Sequence, residues 1–335
     1  MFVVNSYFLA VILCIVTMVC WGSWANTQKM ASREWSFQLF YWDFGIGLFL
    51  FSLLLAFTFG SFGAEGRSFI PDLLQGTSTV ILWAILGGII LNLGNIFFVG
   101  AIDIAGMAVA FPICIGLALV IGVVQNYIAI PTGNFFLLFL GVLFVVIAII
   151  VDAFAYRRIP TEGKKGHMIK SIILSILGGI GIGAYYRFLQ FSMARDFINP
   201  EAGKLTPYTV VVLFSFGVFI SNFLWNSIVM KKPFTGSAIP FIDYFKKGNP
   251  KLHLIGIFGG IIWSIGIMTN MLASGTAGPA ISYGLGQGAT MVGALWGVFI
   301  WKEFKKAPTG TNKLLVIMFI LYVIGLLSII SANLV

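Results

Sequence analysis

The sequence predicts an all-α membrane protein: ten transmembrane helices arranged as two inverted five-helix repeats, with both termini outside. Three observations lead there. Of 335 residues, 59% are hydrophobic and 9% charged, and the mean hydropathy is +1.01, whereas an ordinary soluble domain carries roughly 25% charged residues. Apolar runs of about 20 residues recur along the chain, enough at 1.5 Å per residue to cross ~30 Å of hydrocarbon. The third observation is that one Gly-rich hairpin sequence returns 172 residues later.

The runs between charged or Pro/Gly-rich breaks give the spans in order. Val3–Trp24 is long enough to span and lacks a basic leader, so it reads as a helix and not as a cleaved signal. Phe37–Phe57 follows the polar stretch containing Arg33 and Glu34, and Val80–Ala101 follows the Gly/Ser-rich loop around Arg67. Ile104–Ile128 is separated from its predecessor by Ile102 and Asp103 alone, which predicts a tight antiparallel hairpin. Phe135–Phe154 ends at Arg157 and Arg158; Ser171–Met193 and Pro207–Met230 are divided by a short polar loop. Leu252–Ala273 and Ala277–Ile300 form a second tight hairpin joined at Ser274–Thr276, and Leu314–Leu334 closes the chain.

The basic residues alternate with these spans. Sixteen Lys and Arg fall in the loops after spans 1, 3, 5, 7 and 9, and three (Arg67, Arg195, Lys204) fall in the others. By the positive-inside rule the first set of loops is cytoplasmic, placing both termini outside and the chain as a multi-pass protein of the cell (inner) membrane.

Gly87–Ile128 aligns without gaps on Gly259–Ile300. Gly94/Gly266, Ala101/Ala273, Gly106/Gly278, Gly116/Gly288 and Ile128/Ile300 all match. Spans 3–4 therefore correspond to spans 8–9, with a first repeat over residues 1–160 and a second over 161–335. Five crossings per repeat is odd, so the second copy enters the membrane upside down. Such halves have two near-equal packings, one open to each side, which is the basis of alternating access.

Other classes are excluded by what the chain lacks. Cys14, Cys20 and Cys114 lie in apolar runs and read as packing residues, while His167 and His253 sit in or beside polar loops, which argues against a histidine metal site. No HExxH, GxSxG or GxxxxGK[ST] pattern and no soluble domain is present, so an enzyme or a nucleotide-driven pump is not expected. Neither a cofactor nor nucleic acid is an expected partner. The expected partners are a small polar substrate, a proton and the lipid bilayer, and a homodimer stays an alternative to the single chain.

The segment Leu86–Val124 carries a Gly-Asn pair (Gly94-Asn95), a Gly-Met-Ala helix start (Gly106-Met107-Ala108) and a glycine-punctuated following helix. With Glu34-Trp35-Ser36-Phe37 before span 2 and Trp301-Lys302-Glu303-Phe304 after span 9, this resembles the sugar-permease branch of the drug/metabolite transporter superfamily. It is similar to the L-rhamnose–proton symporter, glucose-uptake and ureide permease families. What the resemblance implies is a ten-helix inverted-repeat carrier with its substrate site between the halves. It would import a monosaccharide such as L-rhamnose or glucose, coupled to protons. The alternatives are a drug/metabolite exporter and a ureide or nucleobase permease of the same superfamily.

Polar side chains inside lipid usually face the protein interior or a wet cavity. Asp43 is the only acid well inside a span and is the candidate proton-coupling residue; a structural acceptor is the alternative. Arg187, the only base inside a span, stands ~24 Å from the cytoplasmic end against ~9 Å for Asp43, too far apart for an ion pair. It either snorkels outward or donates to substrate. Aromatic faces stack on sugar C–H surfaces and amides bond hydroxyls, so Trp21, Tyr186, Asn92, Asn95, Trp263, Asn270 and Gln287 are the candidate substrate-binding residues. Asn92 and Asn95 share a face of span 3, Trp263 and Asn270 a face of span 8, and Gln287 lies in the Gly284–Gly288 stretch. Each has a plainer alternative, an amide between helices or an aromatic ring at the interface.

Overall fold

The computed structural model describes residues 1–31, 34–159 and 168–334. Arg33, Lys164, Lys165, His167 and the repeat boundary at 160/161 lie outside the described residues. All long elements are helices: α1 (Tyr7–Ala31), α2 (Phe37–Phe57), α3 (Ser78–Ala105), α4 (Met107–Ala129), α5 (Phe135–Tyr156), α6 (Met168–Ser192), α7 (Pro207–Lys231), α8 (Pro250–Ala277) and α10 (Thr311–Ser331). Between α8 and α10 lie two short helices, α9a (Pro279–Gly286) and α9b (Ala289–Leu295), followed by a π-helical turn, Trp296–Ile300. Among the described residues, nine helices are long and apolar enough to cross a membrane.

The ninth expected span, Ala277–Ile300, therefore needs correction: it is not one continuous helix. Gly286 and Gly288 explain the break. A Cβ on Gly286 would lie 2.9 Å from the Trp21 ring, and one on Gly288 2.5 Å from the Met18 sulfur. The chain gives up regular hydrogen bonding at Gln287–Gly288 to bring its backbone against α1.

The hairpin joints also shift. Asp103 and Ser274–Thr276 lie inside α3 and α8, and the turns occur at Gly106 and Gly278, with φ of 80° and 84°. A left-handed residue is needed there and glycine supplies it at no steric cost. Both α3 and α8 have 28 residues and begin and end 172 positions apart.

Both termini sit at one end of the bundle. The Met1 amino group donates to the Glu65 carbonyl and Tyr7 to the Ile330 carbonyl (2.6 Å), so the loops after α2, α4 and α6 share that end. We call it the terminal end, and the opposite, Lys-rich one the basic end. At the terminal end the short helix Phe69–Gln75 carries Asp72, whose carboxylate accepts from the Thr206 N–H (2.8 Å) and hydroxyl (2.9 Å), fixing the start of α7.

Helix contacts follow one rule. α3 packs on α6 and α7, and α8 on α1 and α2; α4 packs on α6, and α9a and α9b on α1; α2 meets α7, and α5 meets α10. Advancing every label by five leaves this pattern unchanged. Glycine makes the crossings close. A Cβ on Gly217 would lie 2.2 Å from the Ile85 carbonyl oxygen, and one on Gly47 2.2 Å from that of Ile257, 172 positions on. Likewise a Cβ on Gly88 would lie 2.0 Å from the Phe214 carbonyl oxygen, and one on Gly260 2.2 Å from that of Phe44. Lipid offers no hydrophobic drive between helices, so such small-residue contact is what holds a bundle together.

Gly88→Ala and Gly260→Ala should each destabilise the solubilised protein by about 1–3 kcal/mol, the range for overpacking a filled core. Gly116, whose Cβ would meet nothing within 4 Å, provides the control: Gly116→Ala should leave the melting temperature unchanged or raise it.

Candidate functional site

A seam of aromatic rings runs through the interior between helices of both halves of the chain. Trp21 of α1 stacks on Trp263 of α8 (5.6 Å, 25°), which stacks on Phe214 of α7 (5.7 Å, 16°). Phe214 continues to Tyr185 of α6 (5.7 Å), and Tyr283 of α9a lies 5.0 Å from Tyr186. Two of the rings are admitted by missing side chains. A Cβ on Gly266 would come within 2.5 Å of Trp21, and one on Gly122 within 2.1 Å of Tyr283. The Tyr283 hydroxyl lies within bonding distance of the carbonyls of Ala118 (3.2 Å) and Ile182 (3.0 Å), joining α9a to α4 and α6.

Polar groups flank the seam. Asn270 donates to the Ser282 carbonyl (2.9 Å) and Gln190 to the Ser274 hydroxyl (3.3 Å). The Asn270 carbonyl oxygen and the Trp21 indole N–H are buried without a hydrogen-bond partner. One acceptor and one donor thus stand unused beside stacked rings, the arrangement that orients a small polar ring compound.

A second polar cluster joins α2, α3 and α7. Asn92 donates to the Val218 carbonyl (3.2 Å), the Ser221 hydroxyl (2.7 Å) and Asn222 (3.0 Å). Asn222 donates to the Tyr41 carbonyl (3.2 Å), Asn226 to that of Gln38 (2.8 Å), and Asn95 reaches the Tyr41 hydroxyl at 3.5 Å. Tyr41 stacks on Phe44 (5.2 Å), which approaches Trp24 (4.9 Å).

The candidate residues thus fall into two groups. Trp21, Trp263, Asn270 and Tyr186 meet in the seam. Asn92 and Asn95 belong to the amide cluster, and Gln287 is buried at the break between α9a and α9b. The clefts of the surface lie elsewhere. One of about 670 Å³ is lined by Met1, Phe2, Phe59 and Glu65, another of about 540 Å³ by Val298, Lys302, Pro308 and Asn312. Neither touches the seam, where the Tyr185, Tyr186, Phe214 and Tyr283 rings are buried.

Asp43 is placed apart from both groups, 1% exposed near the basic end. Tyr244, in the short helix Asp243–Lys246 before α8, donates to its Oδ1. His253 Nδ1 lies 3.0 and 3.1 Å from its two oxygens, and Trp35 Nε1 is 3.3 Å from Oδ2. Gly256 makes room, since a Cβ there would stand 2.4 Å from that of Asp43. Burial and the adjacent carboxylate push the Tyr244 phenol well above its usual range, so it stays a donor. Arg187 is not near Asp43: its guanidinium stacks on Phe191, 4.1 Å from the ring centre.

Sequence reasoning passes over Trp35, Tyr244 and His253 as partners of Asp43. His253 reads as a loop histidine until the turn into α8 brings it onto α2. Asp152, four residues from the end of α5, is likewise buried, 6% exposed, and escapes notice at the edge of its span.

Comparison with known proteins fits this architecture. The ureide permease family model matches residues 40–171 and 157–332. Ureide permease 5 of Arabidopsis thaliana is 22% identical over 394 residues, covering 97% of this chain and 94% of its own. The glucose uptake protein GlcU of Bacillus subtilis (strain 168) is 23% identical over 235 residues, 68% of this chain and 70% of its own. A solved crystal structure with 16% identity superposes over 97% of this chain and 96% of its own with a TM-score of 0.58, a likeness of fold. An all-helical bundle with nine membrane-length helices, matched by this family model over most of its length, belongs to the ureide permease family of multi-pass membrane transporters and is not an enzyme.

Proposed function

We propose that the chain is a secondary active carrier that imports a small, neutral, polar ring compound across the cell membrane by alternating access. The observation that carries this reading is the contact pattern that repeats when every helix label advances by five, with glycine crossings repeated at Ile85 and Ile257. Such a bundle reads as two inverted repeats, residues 1–160 and 161–335, with α9a and α9b together as the tenth crossing. The aromatic seam lies where those halves meet, so rocking one half against the other would uncover it from either side in turn. In this reading the basic end is cytoplasmic and both termini are outside.

Two substrate classes suit the seam, and relatives are named for each. Ureide permeases match almost the whole chain and a glucose uptake protein two thirds of it. Stacked Trp21 and Trp263 would serve a planar urea-derived heterocycle or the C–H face of a monosaccharide, with Asn270, Tyr186 and Gln287 bonding its polar groups. Asn92 and Asn95 would line the route between the seam and the basic end.

A thermal-shift screen of the purified protein against urea-derived heterocycles, monosaccharides and cationic drugs separates the classes. A true substrate at 100 times its Kd should stabilise the protein by about 2.7 kcal/mol. Stabilisation by the cationic drugs alone would replace import of a neutral compound with drug export. The seam itself is tested by cysteines at Trp263 and Asn95. Bound substrate should protect Trp263→Cys, and to a lesser degree Asn95→Cys, from a water-soluble thiol reagent; protection at neither position discards the site.

Asp43 is the proposed coupling residue. Held by Tyr244 and His253 away from the seam, it would act by fastening the segment before α8 onto α2, with protonation loosening that fastening. Asp43→Asn should then lose accumulation against a gradient, at least tenfold, while substrate exchange across the membrane stays within about twofold of wild type, a loss of more than 1.4 kcal/mol in coupling alone. Equal loss of both activities would leave Asp43 a structural acceptor.

A further inference from the structure

A second buried carboxyl group stands near the basic end of α5. Asp152 of α5 is 6% exposed, and its Oδ1 is buried without a hydrogen-bond partner. It lies within electrostatic reach of Glu303, of Tyr156 one turn along α5 and of Tyr322 on α10. Glu303 belongs to the short 3-10 helix Glu303–Lys306 after the π turn. Its carboxylate accepts from the Tyr156 hydroxyl (2.9 Å) and pairs with Lys29 of α1, whose ammonium also sits 4.4 Å above the Trp301 ring.

Charge accounting decides what Asp152 is. Lys29 is engaged by Glu303, and no arginine, lysine or histidine pairs with Asp152 among the described residues. A carboxylate there would be a buried charge with no cation paired to it and one oxygen without a donor, and burying a charge is costly unless it is paired and hydrogen-bonded. A neutral acid needs no cation beside it. The backbone is built to keep Glu303 against Tyr156, one turn along α5 from Asp152. Gly297, inside the π turn, stands where a Cβ would come 2.8 Å from the Tyr156 oxygen and 2.9 Å from Glu303 Oε2. Lys302, with φ of 52°, turns the chain so that Glu303 points back at α5.

We propose that Asp152 is a proton-binding site, occupied in this conformation, that exchanges its proton with water at the basic end by way of Glu303. In the exchange the Asp152 O–H bond breaks, its electron pair stays on the carboxylate, and the proton passes to Glu303 or to water beside it. Glu303, one quarter exposed, is the solvent-facing member of the pair. The site differs from Asp43 in helix and partners, and its occupancy does not depend on what the protein carries.

Infrared spectroscopy of the full-length protein at neutral pH reads the site directly, because only a protonated carboxyl gives a carboxylic-acid C=O stretch. The wild type should show such a band, Asp43→Asn should retain it in full or in part, and Asp152→Asn should lose the component that shifts on transfer to heavy water. Asp152→Leu, which needs no hydrogen bond, takes its place if the amide variant folds poorly. An acid band identical in wild type and Asp152 variants, or no acid band in the wild type, overturns the proposal. In Glu303→Gln the Asp152 band should persist but exchange into heavy water at least tenfold more slowly; unchanged exchange overturns the route through Glu303. None of these readings involves substrate, so failure here leaves the transport reading to its own tests.

Discussion

The close approach of backbones at four glycines governs this bundle. In water a helix pair can be held by apolar side chains alone, but in lipid those side chains are as comfortable against hydrocarbon as against each other. The crossings of α2 on α8 and α7 on α3 instead bring carbonyl oxygens to where a Cβ would stand, at Gly47, Gly88, Gly217 and Gly260. Dispersion between backbones at that distance, summed over a long contact, replaces the missing hydrophobic drive. Everything deeper in the molecule inherits its position from those crossings, including Trp263 and Phe214, which stand three and zero residues from contact points on their helices.

Polar groups then take the space that glycines define. The Asn92 amide nitrogen donates to groups on α7, and Ser264, its counterpart 172 positions on, bonds Ser52 of α2 at 2.9 Å. These links sit beside the crossings and fix the register of helices that glycine alone would allow to slide. The buried groups left without partners include the Trp21 indole N–H, the Asn270 carbonyl oxygen and Asp152 Oδ1. Buried polar groups without partners cost free energy, and a ligand at the seam or a proton on Asp152 would offset that cost.

Much of the fold was legible in the chain. Phe37–Phe57 coincides with α2 end for end, because Ser36 and Thr58 bound a run with no internal ambiguity. The repeat offset was visible in glycines, since glycine is selected by backbone proximity, which survives when side chains drift. Joints were harder to read: Asp103 looks like a loop residue by polarity, yet the turn falls at Gly106, where φ rather than hydropathy decides. The break in α9 depends on Trp21 and Met18 pressing on Gly286 and Gly288, which no local pattern reveals. For the candidate site, chemistry could be inventoried but not grouped. Trp21 and Trp263 stack although they are far apart in sequence, and Asp43 finds Tyr244 and His253 at separations of 201 and 210 residues.

The single-residue turns at Gly106 and Gly278 have a mechanical consequence. With no slack between α3 and α4, or between α8 and α9a, neither member of a hairpin can travel along the membrane normal without its mate. Each hairpin is a stiff two-bladed paddle hinged at its tip, and whatever swings in this molecule swings a pair of helices at once. The slack that α9 needs to bend independently is provided farther along, at Gln287, so the second paddle is jointed in its blade where the first is not.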